Sequence, residues 1–164
     1  MKKIGSSNRL HPMYKRIALL TITAVLFSGC SSVPMESDAA ANLAKEFNPP
    51  SANNAGLYIY RDSFVGKALK KDIRVDGKCI GETADDVFFY EEVVGEEEHT
   101  VSTESEFSPN DLLLFVENGK NYFIRQYIKM GVFVGGANLE RVSDEKGKEA
   151  VKTLGLAKKG TCSK

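Results

Sequence analysis

The residues best suited to chemistry are a run of carboxylates, one histidine, two arginines and three thiols. Between Glu82 and Glu106 stand ten carboxylates (Glu82, Asp85, Asp86, Glu91, Glu92, Glu96, Glu97, Glu98, Glu104 and Glu106) with no Lys or Arg among them. Carboxylate oxygens suit hard cations, so Glu91, Glu92, Glu96, Glu97 and Glu98 are candidates for holding calcium or a basic partner. Their spacing is not that of an EF-hand loop. Charges in such a stretch also serve as a solvated turn that repels edge pairing, and that is the plainer reading. His99 follows a run of glutamates, which favour its protonated form, and it is expected at the surface rather than as a general base. Arg61 and Arg125 sit inside apolar runs. Their stems can be buried while the guanidinium groups pair with carboxylates between sheets or meet an anionic ligand. The glycines of 131–136 form no phosphate loop, because no Lys-Ser or Lys-Thr follows them. No catalytic residue, metal ligand or cofactor is assigned, so an enzyme is not expected.

The first of the thiols belongs to a different kind of segment. Met13-Tyr14-Lys15-Arg16 is basic, and Ile17 to Phe27 is an apolar run of eleven residues. A mature transmembrane helix needs about 20 such residues, but the shorter run suits the core of a signal peptide. Ser28-Gly29 then places two small residues before Cys30. This arrangement resembles the lipobox of bacterial lipoproteins, with Phe27 where leucine is usual. The resemblance implies that residues 1–29 are a signal peptide, that Cys30 carries diacylglycerol on its sulfur, and that cleavage leaves Cys30 as the first residue. Met13 is the expected start, since residues 1–12 add nothing to the segment. Ser31, where an aspartate would favour retention in the inner membrane, implies the periplasmic face of the outer membrane. The membrane is then a partner through the Cys30 lipid, and two or more acyl chains give stable anchoring at about 0.8 kcal/mol per buried methylene.

With Cys30 assigned to lipid, Cys79 and Cys162 remain. An even remainder in an oxidising compartment suggests a disulfide joining an early hairpin to the C-terminus. A reactive thiol or a metal pair finds less support, since there is no Cys-x-x-Cys and His99 is the one histidine after Cys30. The precursor is neutral, with 22 basic and 22 acidic residues. Five basic residues and no acidic one precede Cys30, so the remainder holds 17 basic and 22 acidic side chains, a net charge of −5. That sign gives no attraction to phosphate backbones, and nucleic acid is not an expected partner.

The elements that must position these groups read mostly as strands. Residues 30–54 read as the lipidated cysteine and a flexible tether rich in Ser, Ala, Asn and Pro. Ala39 to Phe47 can form two helical turns, with Ser37 or Asp38 as cap and Leu43 and Phe47 on one face. From Ala55 the period changes to two. Strands are expected at Leu57–Arg61, at 73–75 and 79–82 around an Asp76-Gly77 turn, at 87–91, at 99–104, at Leu112–Val116, at Tyr122–Lys129 and at Asn138–Val142. Leu112–Val116 is apolar throughout and reads as a strand buried on both faces. Asp144–Gly147 reads as a turn before a short helix at 149–154. The expected fold for 55–164 is mostly β: a small antiparallel β-sandwich of about seven strands with short peripheral helices.

The segments Ala55–Arg61, Val75–Glu82, Phe88–Tyr90 and Gly119–Phe123, with the later run Gly131–Ala137, resemble lipoproteins carrying domain of unknown function 2846. Their order is also similar to small PEGA-like and transthyretin-like sandwich modules. The resemblance implies a binding, spacer or scaffolding role and no established activity. The expected function is a non-enzymatic binding or scaffolding module of the cell envelope, with an envelope protein as partner. The alternative is a small-ligand or calcium binder using residues 82–106.

Overall fold

The computed structural model describes residues 32–132 and 135–163. The segment expected as a signal peptide, 1–29, the expected start at Met13 and the expected lipidation site Cys30 lie outside the described residues.

Among the described residues, two helices and nine strands appear in the order α1 (Asp38–Ala44), β1 (Asn54–Arg61), β2 (Lys71–Val75), β3 (Lys78–Thr83), β4 (Val87–Val94), β5 (Glu97–Thr103), β6 (Asn110–Val116), β7 (Asn121–Lys129), β8 (Gly136–Val142), α2 (Asp144–Thr153) and β9 (Gly155–Leu156). The strands form a five-stranded sheet, β8-β7-β1-β4-β9, and a four-stranded sheet, β3-β2-β5-β6. The chain is mostly β, as expected, and roughly a sandwich. Two details differ from expectation: there are nine strands, and the larger sheet is mixed. β1 pairs parallel with β7, and β4 pairs parallel with β9. The chain visits the second sheet twice between β1 and β7, returning first as β4, antiparallel to β1, and then as β7, parallel to it.

Ile59, Ile73, Ile80, Phe89, Val101, Val116 and Ile124 fill the space between the sheets. A second apolar cluster lies on the outer face of the larger sheet, where Tyr58, Phe88 and Phe123 meet Val151 and Leu154 of α2 and its end. The larger sheet is therefore covered on both faces, and seven of the eight residues of β1 are buried. β6 behaves in the opposite way. It is the edge of the smaller sheet and its residues alternate in exposure, so Leu112–Val116 is not a strand buried on both faces. An apolar run reports what could be buried, and topology left one face of this strand uncovered.

Local signals account for the turns. Asp76 and Gly77 both adopt positive φ, 51° and 75°, as a two-residue hairpin turn requires. Ser143 caps α2 by accepting from Lys146 N, so Asp144–Gly147 is the first helical turn and not a loop. Ser37 caps α1 in the same way. Phe47 lies past the helix end at φ 55°, which takes it off the face of Leu43.

The segment expected as a flexible tether is laid against the sandwich. Val33 is buried, Met35 bridges Ala157, Glu36 N donates to Leu156 O, and Lys158 N donates to Pro34 O. Phe47 packs its ring edge-on against Tyr58 and Phe123, with centroids 5.3 and 5.7 Å away. The Tyr58 hydroxyl donates to Ala44 O at 2.8 Å. An apolar outer sheet face needs a cover, and this segment supplies part of it.

Candidate binding site

Strand register places four loops at one end of the sandwich. β1 ends and β4 begins there at the pair Arg61–Val87, β5 ends and β6 begins at Thr103–Asn110, and β7 ends and β8 begins at Lys129–Gly136. Arg61 organises the first of these loops. It is fully buried, and its guanidinium donates to Leu69 O at 2.7 Å and to Gly66 O, closing residues 62–70 into a compact turn. Burial lowers its pKa, and the nearby Asp85 carboxylate opposes that shift. Beneath the loops, a buried polar chain ties β3, β7 and β5 together. Thr83 Oγ1 meets Gln126 Oε1, Gln126 Nε2 donates to Thr103 Oγ1 at 2.7 Å, and Thr103 Oγ1 donates to Asp72 O at 2.9 Å.

The loops touch one another. Gly66 and Gly135 both lie against Ile128, Gly136 lies against Ser105, and Val132 N donates to Glu106 Oε2 at 2.6 Å. Their tips carry Phe64 (81% exposed), Val65 (53%), Phe107 (78%), Met130 (90%) and Val132 (76%). Single exposed apolar side chains are ordinary, whereas several on touching loops at one end of a sandwich make a candidate interaction surface. This apolar crown was not read from the sequence. Its residues come from three loops separated by more than 20 positions, and no periodicity links them.

A cleft of about 610 Å³ lies between α1 and the larger sheet, walled by Leu43, Pro49, Tyr58, Tyr90 and Leu156 with Lys159 at its edge. Burial raises the Tyr58 pKa to about 12, with Glu92 adding to the effect, so the hydroxyl stays a donor.

The structure disperses the residues that the sequence singled out. Glu91 pairs with Lys159. Glu92 accepts from Ser51 N, Asn54 Nδ2 and the Tyr90 hydroxyl. The Ser51 bond leads in holding its carboxyl below the usual range, against a smaller effect of burial. Glu96 accepts from Asn118 N at 3.0 Å, while Glu97 and Glu98 are exposed on β5. Neighbours on a strand point to opposite faces, so Glu91 and Glu92 cannot share a ligand on one face. Among the described residues no three His, Cys, Asp or Glu side chains converge as a metal would need. Arg125 is bound by Asp62 at 2.7 Å and Glu140 at 3.2 Å, and it does not approach the acidic stretch. Arg61 is spent on backbone carbonyls. His99 is buried rather than on the surface, with Asp76 and the Val94 carbonyl on its two ring nitrogens. Both partners are acceptors, so neither nitrogen presents a lone pair to a substrate in this arrangement. Cys79 and Cys162 are joined, with Cα atoms 5.9 Å apart, and the bridge holds the C-terminal tail on β3.

Residues 51–137 match the family model described as protein of unknown function (DUF2846). The chain belongs to this family. The DUF2846 match spans β1 to β7 and the start of β8, and so takes in all the crown loops. The chain is also 57% identical over 145 residues to an uncharacterized protein of Haemophilus influenzae, covering 88% of this chain and 85% of that one. No solved structure matches it.

Proposed function

We propose that this DUF2846 protein is an envelope lipoprotein, attached through diacylglycerol on Cys30, whose sandwich is a non-enzymatic module that docks an envelope protein on its apolar crown. The observation that carries the reading is where the crown lies relative to the chain's entry. Met35 pairs antiparallel with Ala157, and β9 runs parallel to β4. Followed backwards, residues 35 to 33 therefore head away from the crown, along the β9 edge of the larger sheet. The crown's Phe107, Met130 and Val132 belong to loops at the β6 and β8 edges, across the sandwich. Only Ser31 separates Cys30 from the first described residue, and two steps along the chain span at most about 7 Å. A lipid on Cys30 thus holds the entry corner close to the headgroups and leaves the diagonal corner for a partner in the periplasm. The order Ser28-Gly29-Cys30-Ser31 supports the signal peptide and the outer-membrane address.

Two measurements test the reading. Intact-mass analysis of protein extracted from envelopes is expected to find Cys30 as the first residue with added acyl mass, and Cys30→Ala is expected to abolish membrane association. A chain that retains residues 1–29, or that still floats with membranes as Cys30→Ala, overturns the anchor. Mild crosslinking in intact envelopes is expected to capture one stoichiometric protein partner, lost in a Phe64→Ser/Phe107→Ser double variant. Capture unchanged by those substitutions overturns the crown as the docking surface.

A further inference from the structure

A polar cleft opens on the outer face of the larger sheet, beside α2. Strand register sets Tyr60 of β1, Arg125 of β7 and Glu140 of β8 in one row across that face. The first turns of α2 stand over the row and leave a space of about 640 Å³. Small-molecule sites enclose about 300–1,000 Å³.

Tyr60 is the residue that points to a ligand. It is 2% exposed and lines the cleft. Among the described residues its hydroxyl has no hydrogen-bond partner. Tyr58 and Tyr90, on the same face of the sheet, each have one, at Ala44 O and at Glu92 Oε1. Buried tyrosine hydroxyls usually find a partner, so one left open on a cleft marks a place for a guest atom. Burial raises the Tyr60 pKa to about 12, with Asp62 adding to the effect and Arg125 opposing it, so the hydroxyl keeps its proton and can donate. Arg125 beside it also has capacity left. Its Nε donates to Asp62 Oδ1 and its Nη1 to Glu140 Oε1, which leaves Nη2 and the second oxygen of each carboxylate for a ligand.

The charges narrow the ligand class. Arg125, Arg141 and Lys146 balance Asp62, Glu140 and Glu149 around the cleft. An anion reaching Arg125 meets Asp62 and Glu140, and a cation reaching either carboxylate meets Arg125. A neutral ligand escapes both penalties. Each hydroxyl can donate and accept, so adjacent hydroxyls match a guanidinium set between carboxylates. Val142 and Ala150 add a small apolar patch for the carbon side of a ring. We infer that this cleft binds a neutral saccharide, with Tyr60 and Arg125 donating to its oxygens and Asp62 and Glu140 accepting from its hydroxyls. Such a site needs neither the apolar crown nor the lipid on Cys30.

Saturation-transfer NMR on the full chain, in a detergent without a sugar headgroup, tests the contact directly. Glucose, maltose, N-acetylglucosamine and its β-linked dimer serve as probes at millimolar concentration. Transfer to the ring protons of at least one of them is expected. Tyr60→Phe keeps the ring and removes only the hydroxyl. It is expected to raise the dissociation constant of that saccharide about tenfold, the share of one neutral hydrogen bond. Its melting temperature is expected to be unchanged or higher, because the hydroxyl holds nothing within the fold. Phe64→Ser/Phe107→Ser is expected to bind the saccharide as before, which separates this site from the crown. Absence of transfer to every probe overturns the proposal, and so does undiminished binding by Tyr60→Phe. A lowered melting temperature in Tyr60→Phe gives the hydroxyl a structural partner and also overturns it. Transfer to acetate, methylammonium or a capped dipeptide in place of the saccharides overturns the ligand class.

Discussion

His99 Nδ1 stands 2.6 Å from Asp76 Oδ2, joining a buried ring to a half-exposed carboxylate on the hairpin turn. Its Nε2 stands 2.8 Å from the Val94 carbonyl, so both ring nitrogens face acceptors and the ring is held as an imidazolium. The contact ties the Asp76-Gly77 turn to the end of β4 and the start of β5. Asp76 strengthens it by accepting from Thr100 N as well.

This pair makes stability depend on pH. Burial pulls the His99 pKa down, but the bonds to Asp76 and Val94 outweigh it, and the folded value lies above the ordinary 6.5. The stabilisation linked to this proton is complete below about pH 6.5 and is lost as pH rises through the folded value. Burial acts on Asp76 in the opposite sense, raising its pKa, and the bonds from His99 and Thr100 leave it below the ordinary 3.8. Its contribution is present above about pH 3.8 and is lost as pH falls through the lowered value. Thermal unfolding followed from about pH 5 to about pH 9 is expected to show a falling melting temperature on the alkaline side. That slope is expected to flatten in His99→Gln.

Phe47 reports whether the N-terminal segment is part of the folded unit. Its ring packs edge-on against both Tyr58 and Phe123, which stack on each other at 5.0 Å. Removing a fully buried phenylalanine costs about 3–5 kcal/mol. Phe47 is half-buried, so Phe47→Ala is expected to cost about 2 kcal/mol in denaturant unfolding. A freely moving tether would leave the midpoint unchanged.

Arg61 is expected to be the most sensitive charged residue. Arg61→Ala leaves the Gly66 and Leu69 carbonyls without their donor and leaves Asp85 with Lys67, 3.2 Å away, as its neighbouring cation. Breaking a buried charged contact of this kind costs about 3–5 kcal/mol. Arg61→Lys is not expected to restore stability, because a single ammonium does not reproduce a fork aimed at two carbonyls. Limited proteolysis within 62–70 should accelerate in both variants, which gives a readout specific to the crown loop.

The Cys79–Cys162 bridge closes a span of 83 residues. Reduction, or Cys79→Ala with Cys162→Ala, is expected to lower stability by about 2–4 kcal/mol. The tail should then become the first site of proteolysis, because Gly160 N and Ser163 N lose the geometry that holds them on Ile80 O and Asp72 Oδ1. Chemical unfolding with and without reductant checks the first effect, and mass mapping of early cleavage products checks the second.

The amino-acid sequence by itself determined the local features of this protein. Period-two patterning located most of the strands, Asp76-Gly77 marked a turn, and the count of cysteines left Cys79 and Cys162 to pair. Such signals lie within a few neighbouring residues, where steric and hydrogen-bonding preferences act directly. Ser143 before Asp144-Glu145 is also a cap signal, but the charged and glycine residues of Asp144–Gly147 equally suit the turn expected there. Only the tertiary structure decided which apolar strand is covered twice, because β1 and β6 differ in their neighbours more than in their composition. It also decided that Glu91, Glu92, Arg61 and Arg125 go to separate partners, and that the loops bearing Phe64, Phe107, Met130 and Val132 lie at one end of the sandwich. These outcomes depend on which strands lie side by side, and that order follows from packing over the whole chain rather than from any one segment.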